Sequence, residues 1–103
     1  MVSQLRIYTI NRGMMDSWLK VFEERIRPIH NQQGIPIEAT WVNSTRTEFI
    51  WVRSFETEEV IAQKETEYFA TPERRVLGDL PANHIAKIEV RVIEPVLTDP
   101  SVK

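Results

Sequence analysis

The apolar residues of this chain follow two spacings in turn, and that alternation limits the folds open to it. In residues 5–10, Leu5, Ile7 and Thr9 alternate with Arg6, Tyr8 and Ile10, the period of two that a strand requires. Asn11, Arg12 and Gly13 break the pattern. Met15, Trp18, Leu19, Phe22, Ile26 and Ile29 then line up as one helical stripe, with Asp16 in the first turn, Pro28 kinking or closing the last turn, and Gly34 as the stop. The period returns to two at Ile37, Ala39 and Trp41. Asn43-Ser44-Thr45-Arg46 predicts a turn, and residues 47–55 predict a strand that is apolar on both sides at Phe49, Ile50, Trp51 and Val52. Thr57 is the expected N-cap of a second helix whose buried side is Val60, Ile61, Tyr68 and Phe69, closed by Pro72. Ala86, Ile88, Val90 and Val92 alternate with Lys87, Glu89, Arg91 and Ile93 in a last strand that ends at Pro95.

The order is therefore β-α-β-β-α-β. Right-handed crossovers interleave it into a four-stranded antiparallel sheet with both helices on one face, an α+β fold of the ferredoxin-like split type. A single domain is expected over residues 1–94, with a tail over 95–103.

Composition removes several classes of function. Thirteen Lys and Arg against fifteen Asp and Glu give a net charge of -2, so no positive field exists to hold a nucleic-acid backbone. Cysteine is absent, which excludes thiol nucleophiles, disulfides and cysteine-ligated metals. No apolar run nears the 18 residues of a membrane span. The opening MVSQLRIYTI has no basic start followed by an apolar block, so no signal peptide is expected and a cytoplasmic location is the default.

Pairing Val42 with Thr47 across the turn sets an expected register and separates two sheet faces. One carries Leu5, Ile7, Thr9, Ile37, Ala39, Trp41, Ile50, Val52, Ile88, Val90 and Val92; being almost purely apolar, it is expected under the helices. The other carries Arg6, Tyr8, Phe49, Trp51, Arg53, Glu89 and Arg91 among its residues, and no helix remains to cover it. An exposed patch of that size is rare in monomers, which predicts a homodimer through this sheet face.

Arg6, Tyr8, Trp51, Arg53, Glu89 and Arg91 are the candidate ligand-binding residues. A planar guanidinium grips a carboxylate or phenolate with two bonds, Tyr8 can donate to an oxyanion, and Trp51 can stack on a flat ligand. The plainer alternative is an ion network within the interface. His30 and His84 lie 54 positions apart, without metal-ligand spacing, and are expected to be structural or solvated. Trp18 and Trp41 are expected in the core. No catalytic residue, metal site or cofactor is predicted.

The opening LRIYTINRGMMDSWLKVFEERIRPIHNQQGI resembles the start of NIPSNAP proteins, with an Arg-x-Tyr strand, a Gly turn, and a helix bearing Trp-Leu and ending near Pro. FIWVRSFETEEV and IEVRVIEP resemble the family's second hairpin strand and its last strand. The resemblance implies a dimeric α+β barrel, in which two sheets pack face to face. It implies no agreed chemistry. The expected function is a small homodimer that binds a small apolar or aromatic ligand. The alternatives are a cofactor-independent monooxygenase of the antibiotic-biosynthesis type, acting on a phenol or quinol, and a structural or partner-binding module.

Overall fold

The computed structural model describes residues 1–96. The expected tail falls outside the described residues from position 97 onward. β1 (Val2–Ile10) is longer than the alternation alone suggests. α1 (Met15–Val21) runs through a π-helical turn, Phe22–Ile26, into α2 (Arg27–Gln32), so residues 15–32 make one continuous rod. Pro28 sits in the first turn of α2 and has no amide hydrogen to give the preceding turn. The widened π turn just ahead of it is where the rod absorbs that missing bond without breaking. The stop is at Gly34, whose φ of 69° suits glycine. The Gly34 amide donates to Asn31 and the Ile35 amide to His30, closing the helix end, while Ile35 buries its side chain.

β2 (Ile37–Val42) and β3 (Glu48–Phe55) follow as a hairpin. A short 3-10 turn at Glu58–Val60 leads into α3 (Ile61–Ala70), and Thr71 Oγ1 accepts from the Arg74 amide to cap α4 (Pro72–Arg75). The 3-10 turn Ala82–His84 delivers the chain to β4 (Ile85–Ile93). Strand order is β2-β3-β1-β4, with every neighbouring pair antiparallel. This is the expected α+β split sheet.

Four expectations need correction. The hairpin register lies two residues from the one predicted: Val42 pairs with Phe49, not Thr47. Asn43 causes this, because its side-chain oxygen accepts from both the Thr47 and Glu48 amides and so lengthens the turn. Thr57 makes no side-chain cap, and Phe69 points outward, 53% exposed.

The largest correction concerns the faces. Tyr8, Phe49, Trp51 and Arg53 are buried beneath the helices, each no more than 7% exposed. The uncovered face carries Leu5, Ile7, Ala39, Trp41, Ile50 and Val52, and Trp41 is 52% exposed there. β4 alone keeps its expected orientation: Ile88, Val90 and Val92 pair with Tyr8, Arg6 and Gln4 on the helix side, while Lys87, Glu89 and Arg91 lie on the uncovered face. The reason is steric. The helical rod presents Trp18 and Phe22, and only a sheet face of large rings interlocks with them. Trp18 meets Phe49 edge-on at 5.7 Å, Phe22 meets Trp51 at 5.1 Å, and Tyr8 meets Trp18 at 5.6 Å between ring centres.

Candidate functional site

The helix-facing side of β1 and β3 carries polar groups that a sheet interior must satisfy. Gln4 Oε1 accepts from Arg6 Nη1 at 2.9 Å and from Arg53 Nε at 2.8 Å. Arg6 Nε donates to the Tyr8 hydroxyl at 3.0 Å. Arg53 Nη2 donates to Glu65 Oε2 on α3 at 3.0 Å, and Arg53 Nη1 donates to His30 Nε2 at 2.9 Å. Both guanidinium groups also lie over rings: Arg6 is 5.8 Å and Arg53 5.5 Å from the centre of Trp51.

His30 is fixed by this geometry. Its Nδ1 faces the Ile26 carbonyl at 2.9 Å, which can only accept, so Nδ1 carries the proton. Nε2 must then accept, and Arg53 only donates. A second proton would face a guanidinium in a buried site. Burial foremost, with the charge of Arg53 also opposing it, lowers the His30 pKa from the ordinary 6.5 to about 4. His30 is therefore a neutral prop for Arg53. Burial, then the charge of Arg6, makes Arg53 a weaker base than a free guanidinium. His84 is similarly occupied, with Nδ1 on the Leu80 carbonyl and Nε2 on the Ser17 hydroxyl. Neither ring is solvated.

Arg6, Tyr8, His30, Trp51, Arg53 and Glu65 wall a cavity of about 140 Å³ between the sheet and the helices. Tyr68 and Phe69 of α3 and Arg74 of α4 complete it, and the exposed side chains of Phe69 and Ile88 stand at its rim. Burial raises the Tyr68 pKa, and Arg74 reaches the Tyr68 hydroxyl while stacking 5.0 Å from the centre of Phe69. A roomier groove of about 290 Å³ beside Pro36 and Phe55 gathers only Lys64 and Glu56 as charges, so it lacks this convergence.

Four of the six candidate residues, Arg6, Tyr8, Trp51 and Arg53, thus meet at one cavity. It lies under the helices, not on the uncovered sheet face where these residues were expected. Glu89 and Arg91 do not join them: opposite Ile7 and Leu5, they point to the other face, with Arg91 Nη2 3.9 Å from Glu89 Oε1. Sequence reasoning missed His30, Glu65, Tyr68 and Arg74 as wall residues. A signal existed for Glu65, which falls with Ile61 and Tyr68 at helical spacing on the buried side of α3. Among the described residues no group of three His, Asp or Glu could hold a metal ion, and no helix is long and apolar enough to cross a membrane.

Neither a protein-family model nor a curated protein matches the sequence significantly. Solved structures do share the fold. A NIPSNAP domain protein from Burkholderia xenovorans aligns over 98% of this chain and all of its own at 16% identity, with a TM-score of 0.85. A NIPSNAP family protein from Agrobacterium tumefaciens gives a TM-score of 0.87 at 18% identity, over 97% of each chain. A putative antibiotic biosynthesis monooxygenase from Nitrosomonas europaea gives 0.70 at 9% identity, over 94% of this chain and all of its own. The chain therefore has the α+β fold of NIPSNAP proteins, and it resembles the monooxygenase-type structure at greater distance.

Proposed function

We propose that this protein is a small-ligand-binding homodimer, with one binding cavity under the helices of each protomer and the uncovered sheet faces packed together. The observation that carries the ligand reading is the cavity wall, where guanidinium groups braced by Gln4, His30 and Glu65 are set among aromatic rings. A fold holding only itself together gains little by burying arginine, since apolar replacements of buried ion pairs are often neutral or stabilising. Trp18 and Trp51 line the cavity, so occupancy is readable in their fluorescence. Titration with a set of single-ring aromatic compounds is expected to give saturable quenching for at least one; linear, non-saturating responses throughout contradict the reading.

The dimer reading rests on the open face. Its centre is aliphatic, Trp41 stands out of it, and Lys87, Glu89 and Arg91 edge it with both signs of charge, as a self-complementary seam requires. Trp41→Glu sets an unpaired carboxylate into that seam and is expected to raise the dimer dissociation constant at least about tenfold. Sedimentation velocity measures this, and an unchanged constant contradicts it.

Oxidation of a phenol or quinol, the chemistry suggested by the monooxygenase-named neighbours, has weaker support. A cavity near 150 Å³ accepts one benzene ring, whereas pockets for larger molecules run to roughly 300–1,000 Å³. A purely structural module leaves the buried guanidinium groups unexplained.

A further inference from the structure

The charges in the cavity wall do not balance. Arg6, Arg53 and Arg74 bring three positive charges, Glu65 is the single carboxylate among the described wall residues, and His30 is neutral. Arg53 is committed, its three nitrogens bound to Gln4, His30 and Glu65. Arg6 is not. Its Nε and Nη1 hold Tyr8 and Gln4, its nearest approach to Glu65 is 4.0 Å, and its Nη2 has no protein partner among the described residues. The Tyr8 hydroxyl accepts from Arg6 Nε, which leaves its own proton for another acceptor. Arg74 Nε is buried without a partner. The wall is thus rich in unused donors and poor in acceptors, and a neutral occupant would leave that surplus uncompensated.

Taking the cavity as the ligand site proposed above, we infer that its ligand is a single-ring aromatic carboxylate, held at the carboxylate by Arg6 and the Tyr8 hydroxyl and at the ring by Trp51 and Tyr68. Size sets the single ring, since about 140 Å³ matches the space that one benzene fills. Charge sets the carboxylate. It is ionised at neutral pH where a simple phenol is not, and its planar pair of oxygens fits the guanidinium fork. The aromatic walls set the ring, because a hydrated tetrahedral anion gains nothing from them.

The test is binding of sodium benzoate, benzyl alcohol and inorganic phosphate to the full chain, by calorimetry and tryptophan quenching. Benzoate is expected to bind at least about tenfold more tightly than benzyl alcohol, with no saturable phosphate binding. Arg6→Gln is expected to weaken benzoate at least about tenfold and to leave benzyl alcohol within about twofold. If circular dichroism shows that variant unfolded, Arg74→Gln replaces it, with the same direction expected. Equal affinity for benzoate and benzyl alcohol overturns the anionic class while leaving the cavity reading in place. Phosphate binding as tight as benzoate overturns the aromatic part. Binding of none of the three at millimolar concentration overturns this inference and the cavity reading together.

Discussion

Trp51→Ala is expected to cost about 3–5 kcal/mol, the range for removing a fully buried large ring from a core. Trp51 is 2% exposed and stands where three kinds of contact meet. It packs edge-on against Tyr8, Phe22 and His30, with ring centres 5.9, 5.1 and 5.2 Å away. It is also the plate over which Arg6 and Arg53 lie. Truncation leaves a void joined to the existing cavity and removes the apolar backing from two guanidinium groups. For a domain of this size the melting temperature should fall by about 15 °C or more. Chemical denaturation measures the cost directly, and a loss below about 1 kcal/mol would mean that the helices do not cover this face.

The second large effect is a dependence on pH that runs through His30. The folded protein keeps the ring neutral down to about pH 4, whereas a histidine in the unfolded chain takes its proton near 6.5. Between those values the unfolded state binds more protons, so stability falls as the pH falls from 6.5 to 4 and the effect levels off below that window. The gap corresponds to about 3 kcal/mol. His30→Gln has no proton to gain there. Its unfolding free energy should lack that component, so the difference between wild type and variant should shrink or reverse by about 3 kcal/mol from pH 6.5 to pH 4. Parallel pH profiles would contradict the neutral prop assigned to His30.

Period carried the architecture. The strand and helix spacings led to the split sheet because each element's repeat is set by its own backbone geometry. Which sheet face lies inside was not legible the same way. Leu5, Ile7, Ile50 and Val52 look like core by hydrophobicity alone, yet Trp18 and Phe22 on the helical rod select the ringed face for its shape. Arg6 and Arg53 look like surface until their partners are known. The partners of Arg53 sit on other elements: Glu65 is 12 residues away and His30 is 23. A pattern confined to one strand does not contain them. Glu89 and Arg91 part from Arg6 and Tyr8 for a related reason, since β4 pairs with β1 in the phase opposite to the one expected, which sets Glu89 against Ile7 and Arg91 against Leu5.

The helices' choice of the ringed face leaves an aliphatic one, with Trp41 at its edge strand, open on a single chain. Patches of this kind in soluble proteins are normally covered. Light scattering on the purified chain at micromolar concentration tests that consequence most directly. Two sheets packed face to face predict twice the 12.1 kDa mass of one chain, and a particle of one chain's mass would contradict the account.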